Sequence, residues 1–279
     1  MSNLPMKNKN KSLLLDSGAF SAWNKSIEID IDIYIDFILQ YNEYFDYVVN
    51  LDVIPGKPGI PPTKDQIEFS ARKGYDNYYY MIGRGIPKEK LIHVFHQGED
   101  FEWLNKMIAE MDYIGISPSN DKTTNQKIEW LDVVMDYIID DRGFPRVKFH
   151  GFGVSSISIL IRYPWYSVDS TSWVMTGRFG SIFVPKNKCG KYDYMSTPYK
   201  IDVSEKANSR NFEDCHLSNF LIREREKILE YIYEKGFTEE QLAKDYMKRD
   251  ELNIIYFIDL EKNLPSWPWP LWNRKKNIH

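Results

Sequence analysis

Only two cysteines, Cys189 and Cys215, occur in 279 residues. So few thiols argue against the disulfide frameworks that hold small secreted domains together. Long apolar runs are missing too. The start MSNLPMKNKNKSLLLD is charged but carries too short an apolar stretch for a signal peptide, and no segment approaches the twenty or so residues a membrane helix needs. No internal repeat, low-complexity tract or flexible linker interrupts the chain. Nor is there an excess of either charge: the formal net charge of -4 gives no global attraction to polyanions, so contact with nucleic acid would have to come from a local patch. Two such patches exist, Arg178 with Lys186, Lys188 and Lys191, and the tail Arg274, Lys275 and Lys276. Either can equally be a solvated face. These absences predict a soluble cytoplasmic protein with no membrane partner.

What is plentiful is apolar and aromatic. With 43% hydrophobic content and 19 Tyr and 8 Trp, one large core can be buried, and a single domain spanning 1–279 is expected. Short apolar runs alternate with amphipathic stretches in the rhythm of βα units. The predicted strands are Ser12 to Asp16, Tyr47 to Asp52, Leu91 to Gln97, Asp112 to Ser117, Arg146 to Gly151, Trp165 to Asp169 and Ser181 to Val184. Helices are predicted over Ile31 to Glu43, Lys64 to Met81, Phe101 to Glu110, Asn125 to Ile139 and Ser155 to Tyr163. Parallel right-handed connections in this number point to a (β/α) barrel or a doubly wound sheet.

The strand ends favour the barrel. They read LLLDSG, VVNLDVIPG, IHVFHQGE, YIGISPSN, KFHGFGV and YSVDSTSW, and nearly every apolar run stops at a polar or glycine-bearing cluster. In a parallel barrel those stops share one rim. Asp16, Asp52, Gln97, Gly115, His150 and Asp169 are therefore expected at one mouth. A carboxylate closing a leucine run, as Asp16 does, is costly if buried without a partner. Three carboxylates can hold Mg²⁺ beside a phosphorylated substrate. They can also divide into a nucleophile and a proton donor acting at a sugar carbon, leaving a carboxylate and an amide to read a heterocycle. A bland reading stands beside each: Asp16 as N-cap of the next helix, Asp169 as a turn-former with Ser170 and Thr171.

DSGAF resembles the D-S-G-G-(F/Y) signature of the tRNA-guanine transglycosylases, and further landmarks follow in that family's order. NLDVIPG is similar to the segment whose aspartate reads the base, HQGE to its V-Q-G, and YIGIS to its glycine-bearing strand. PRVKFHGFGV is similar to its P-R-Y-L-M-G-V-G run, WYSVDSTSW to its nucleophile strand, and LNIIYFIDLEKNL to its late helix. The resemblance implies a TIM-like (β/α)8 barrel, complete, incomplete or modified at its N-terminal end, with a helical C-terminal extension, helical or irregular over 185–279 in place of the zinc module. It implies that Asp169 attacks C1′ of a guanosine-type nucleotide and that Asp16 acts as general acid and base. It places Asp52, Gln97, Ser17 and the Gly115 backbone on the purine, with Phe20 and His150 against its faces.

Two departures bear on the substrate. The tRNA enzymes bind a structural zinc through C-x-C-x-x-C and a late histidine; here FEDCHLSNF holds one thiol and DELNIIYF no histidine. Cys189, Cys215 and His216 are the only zinc candidates, one short of a closed tetrahedral site, and no cofactor is expected. DSGGF has become DSGAF, and little chain precedes the first strand. A compact relative without zinc resembles instead the DNA-guanine transglycosylases (DpdA type) of bacterial modification systems and bacteriophages, which exchange guanine in DNA for a 7-deazaguanine such as preQ0. The resemblance then implies DNA, in preference to tRNA, and a free 7-deazaguanine base as partners, with the basic tract Arg178, Lys186, Lys188 and Lys191 on the phosphates. PSWPWPLWNRKK would be a strand-binding arm or a tail packing its tryptophans on the fold. A bacterial or phage-infected cell is the expected setting, a homodimer stays open, and a tRNA enzyme and a non-catalytic nucleic-acid-binding paralogue are the alternatives.

Overall fold

A computed structural model describes residues 12–154, 156–207 and 215–271. The chain forms two compact units, one of Met1–Phe152 with Trp165–Ser167, the other of Gly153–Pro164 with Val168–His279.

The first unit is built from βα repeats. In order it contains β1 (Leu14–Leu15), α1 (Ala19–Asn24), α2 (Ile31–Gln40), β2 (Tyr47–Val49), α3 (Lys64–Gly83), β3 (Leu91–His96), α4 (Phe101–Glu110), β4 (Tyr113–Ser117), α5 (Thr124–Ile138) and β5 (Lys148–Gly151). Local signals set the helix starts. Thr63 with Gln66 and Thr123 with Gln126 close reciprocal capping boxes on α3 and α5, while Asp30 and Asp100 accept first-turn N–H groups of α2 and α4.

The pairings β1–β2, β2–β3, β3–β4 and β4–β5 are all parallel, and β6 (Ser167–Val168) comes next in the six-stranded order β1-β2-β3-β4-β5-β6. Each neighbour is the next strand in sequence. That is the winding of a partial TIM-like (β/α) barrel, and it excludes a doubly wound sheet, whose order reverses at a switch point.

The pleat separates two chemistries. Phe95 packs against Phe101 and Trp130, and His93 lies between Tyr75 and Tyr78 of α3, so these positions face the helices. On the opposite face Tyr113 meets Tyr47 and Tyr166 edge-on. A hydrogen-bonded chain runs there from the Tyr113 hydroxyl to Ser167 Oγ (2.5 Å) and on to His150 Nδ1 (2.6 Å).

The second unit contains α6 (Ile157–Arg162), α7 (Ser172–Arg178), β7 (Ser181–Val184), β8 (Lys186–Lys188), β9 (Lys191–Asp193), β10 (Tyr199–Asp202), α8 (Ile222–Glu234), α9 (Glu239–Lys244) and α10 (Tyr246–Asn263). Ile182, Val184, Ile201 and Val203 form its core with Tyr231, Ile232, Leu242 and Leu252.

Here the eight-stranded expectation needs correction. The seventh strand does not extend the parallel sheet: β7 pairs antiparallel with β10, and among the described residues the parallel sheet has six strands. Asn253 of α10 supplies the reason. Its Oδ1 accepts the Phe183 N–H (2.9 Å) and its Nδ2 donates to the Ser181 carbonyl (3.3 Å), so a side-chain amide takes ladder groups of β7 that another strand would have used. The C-terminal part combines helices α8 to α10 with β10 and the antiparallel hairpin β8–β9.

Among the described residues no helix is long and apolar enough to cross a membrane. The tail cations Arg274, Lys275 and Lys276 lie outside the described residues. Of the tryptophans before them, Trp269 is buried and Trp267 Nε1 donates to the Pro164 carbonyl (3.2 Å).

Gly115 lies mid-strand in β4 with Phe152 over it. An added Cβ would sit 2.6 Å from the Phe152 ring and 3.1 Å from Val94. Gly115→Ala is therefore expected to destabilise the protein by about 1–3 kcal/mol in urea unfolding, with Gly115→Ala/Phe152→Leu recovering most of the loss. An unchanged midpoint for the single variant would show that the ring moves aside freely.

Candidate active site

Parallel strands deliver their carboxyl ends to one edge, and the polar residues of the first unit are found there. Asp16 and Ser17 follow β1, Asn50 to Asp52 follow β2, His96 ends β3 with Gln97 to Glu99 after it, and Ser119 follows β4.

Asp16 is exposed, contrary to the buried carboxylate that the leucine run suggested. It is not the N-cap of α1: that position belongs to Gly18, at φ 73°. Ala19 is the first residue of that helix, so the methyl group of DSGAF demands no special backbone angle. Tyr34 of α2 registers both aspartates. Its hydroxyl donates to the Val49 carbonyl (2.8 Å), and burial, reinforced by the charges of Asp16 and Asp52, drives its ionisation far above the ordinary range.

The buried ionic centre is one residue along from the expected amide. Asp52 Oδ2 takes His96 Nε2 at 2.6 Å, with the two side chains 9% and 18% exposed. Burial alone would depress the His96 pKa, but the hydrogen bond and charge of Asp52, with the charge of Glu99, overcome it and hold the imidazole at about 9. His96 is thus an imidazolium at neutral pH. Relative to its ordinary 6.5 this corresponds to stabilisation on the order of 3 kcal/mol, complete below 6.5 and lost as pH rises through about 9.

Ser17 Oγ donates to Asp52 Oδ1 over a long 3.5 Å and accepts the Ala19 N–H at 3.3 Å. The Asp52 backbone is set independently. Asn50, fully buried, donates from Nδ2 to the Gly74 carbonyl and to His93 Nδ1, and Asn77 donates to the Leu51 carbonyl (2.7 Å). His93 itself is neutral: burial brings it down to about 4.

Gln97 Oε1 accepts the Ser119 N–H at 3.0 Å. Its amide N–H groups have no acceptor among the described residues, so they are the side of the group that a ligand carbonyl would meet. Phe20, half exposed, stacks on Trp23, whose Nε1 donates to the Gly56 carbonyl. His150 is buried, with Ser167 on Nδ1 and Phe152 edge-on at 4.4 Å; it and Gly115 belong to the packed strand interior.

Asp169 belongs to the second unit. It directly follows β6, is exposed, and accepts the Gly153 N–H on Oδ1 at 2.9 Å. Of the basic tract, Lys188 pairs with Asp193, Lys186 lies over the Tyr199 ring and Arg178 acts on Asp250, whereas Lys191 opens β9 in an exposed position. Among the described residues no three or more His, Cys, Asp or Glu are grouped to hold a metal ion. Cys189 is exposed on the β8–β9 turn, Cys215 Sγ lies 3.6 Å from Asp202, and both His216 nitrogens are engaged, by Ser218 and by the Ser204 carbonyl.

Two residues of this site, His96 and Glu99, escaped the reading of HQGE, which singled out only the amide. The signal was present: a histidine at the C-terminal end of a buried strand, where side chains leave the ladder and meet ligands. Compared with models of known protein families the chain matches none, and a comparison with curated protein sequences also finds no match.

Glu99 is buried, accepts the His96 backbone N–H at 3.2 Å, and is pushed up to about 7, with burial outweighing the opposing His96 charge. Its favourable contribution is whole below the ordinary 4.5 and lost as pH rises through about 7, so its ionised form costs the fold on the order of 3 kcal/mol above that point. Glu99→Gln keeps the acceptor oxygen and removes the charge. It is expected to leave urea stability unchanged at pH 4 and raise it by about 1–3 kcal/mol at pH 8. Equal effects at both pH values would show that Glu99 does not titrate in this range.

Proposed function

We propose that the protein is a guanine transglycosylase acting on DNA, exchanging guanine for a 7-deazaguanine base. The observation that carries this reading is the pairing of an acceptor with a donor on adjacent strands. Asp52 after β2 offers carboxylate oxygen, and Gln97 after β3 offers amide N–H groups, across neighbouring strands about 4.8 Å apart. Guanine presents the complement, a pair of N–H donors beside a carbonyl oxygen. The half-exposed Phe20 ring, stacked on Trp23, is suited to lie against a flat base.

The reaction assigns each remaining carboxylate one task. An Asp169 oxygen attacks C1′ of the deoxyguanosine, the C1′–N9 bond breaks, and the bonding pair leaves with guanine, which Asp16 protonates. The incoming base loses its N9 proton to Asp16, its nitrogen attacks C1′, and the Asp169 ester bond breaks to restore both carboxyl groups. Because the reacting carbon lies inside the duplex, guanine has to be flipped out or presented in single-stranded DNA. Lys191 is the cation of the basic tract best suited to phosphate contact, since it is exposed and has no ion-pair partner among the described residues.

Incubation with a guanine-containing oligonucleotide, followed by denaturing electrophoresis, is expected to trap a covalent protein–DNA adduct. Asp169→Asn should abolish the adduct and lower exchange of radiolabelled guanine by a thousandfold or more, roughly the loss seen when one essential catalytic residue is removed, while oligonucleotide binding persists. Release of label from tRNA but not from DNA would reassign the polymer, and an active Asp169→Asn enzyme would remove Asp169 from the chemistry.

A further inference from the structure

We propose that His96 is the positioning residue for base recognition: by donating Nε2–H to Asp52 Oδ2 it fixes the rotation of that carboxylate and leaves Oδ1, beside Ser17, to take the paired N–H groups of a guanine-type ring. The inference rests on the guanine-exchange reading and assigns the reason for its base preference. It follows from what is fixed around Asp52. Asn50 and Asn77 hold the backbone from Asn50 to Asp52, and a tight turn from the Asp52 N–H to the Asn50 carbonyl (2.9 Å) closes it. Only the side-chain torsions of Asp52 remain to be set.

His96 is well placed to set them. Its own backbone lies in the β3–β4 ladder opposite Ser117, and its N–H is taken by Glu99. The 2.6 Å contact comes from a rigid strand end and commits one carboxylate oxygen. Ser17, at 3.5 Å, makes too long a contact to commit the other. A carboxylate offering one oriented oxygen accepts N–H groups and repels ring nitrogens that are themselves acceptors. Guanine and 7-deazaguanines are admitted on that basis, and adenine is refused.

The charged and titratable groups bearing on His96 are Asp52 after β2, His93 on its own strand and Glu99 in the turn that follows; Glu68 of α3 bears on Glu99, and Asp16 after β1 acts with Asp52 on Tyr34 of α2. Deprotonation of His96 leaves a neutral imidazole that keeps Nε2–H on Asp52, so the orienting donor persists and only the charge that strengthens it is lost.

The test uses the full-length protein, guanine and adenine as free bases in calorimetry, and exchange kinetics on DNA. The wild type should bind guanine and not adenine, and exchange it. In His96→Leu, KM for the incoming base should rise roughly tenfold or more while kcat stays within about threefold, the loss expected for one charge-assisted hydrogen bond acting through its neighbour. In His96→Gln, which retains an N–H donor without the charge, affinity should recover in part. If His96→Leu does not fold by circular dichroism, His96→Gln alone decides, through a KM for the incoming base that rises severalfold while kcat is unchanged. Variants that bind guanine as the wild type does overturn the role of His96 and leave the exchange reading standing. A wild type that binds guanine but exchanges none overturns the exchange reading, and one that binds no guanine overturns both.

Discussion

The candidate site depends on one constraint: a parallel sheet wound in sequence order puts the carboxyl end of each strand beside that of the next. β2 and β3 pair in parallel, so the residues that follow Val49 and those that follow Phe95 emerge side by side although more than forty positions separate Asp52 from His96. The ion pair formed there is largely buried, with the two side chains 9% and 18% exposed. Its 2.6 Å contact then offsets the desolvation that either charge alone would suffer.

Two histidines three positions apart on β3 show how strongly that setting acts. His93 faces the tyrosines of α3 and is brought down to about 4 by burial, its Nδ1 accepting from Asn50. His96, at the strand end, meets a carboxylate and is held at about 9. The same side chain on the same strand is a neutral packing element in one position and a cation at neutral pH in the other. Glu99 adds a carboxyl group that stays partly protonated near neutrality. Environments that push neighbouring titratable groups apart in this way are the usual setting of acid–base chemistry.

Much of the secondary structure was legible in the apolar rhythm. All seven runs singled out as strands contain strands, and the five predicted helices lie where α2 to α6 are found, because periodicity and capping are local properties. The partner of the seventh strand was not legible. SIFV is buried throughout, and a continuous apolar run reads alike whether its neighbour is parallel or antiparallel. The competing partners, Asn253 and β10, lie far along the chain. Of the candidate residues, Asp16, Asp52 and Gln97 lie after the strand ends where the apolar runs placed them, whereas Gly115 and His150, read there as ligand contacts, lie in the packed strand interior with Phe152 and Ser167.

By itself the sequence determined where the chain extends, where it coils into helices, and which polar residues terminate its apolar runs, since these follow from side-chain period and capping chemistry within a few residues. Only the tertiary structure decided which carboxylate is buried and which is wet. LLLD and NLD look alike, yet Asp16 follows a half-buried two-residue strand and is exposed, while Asp52 is enclosed against His96. Burial is a property of what the rest of the fold brings alongside, and that is decided by pairings between strands distant in sequence.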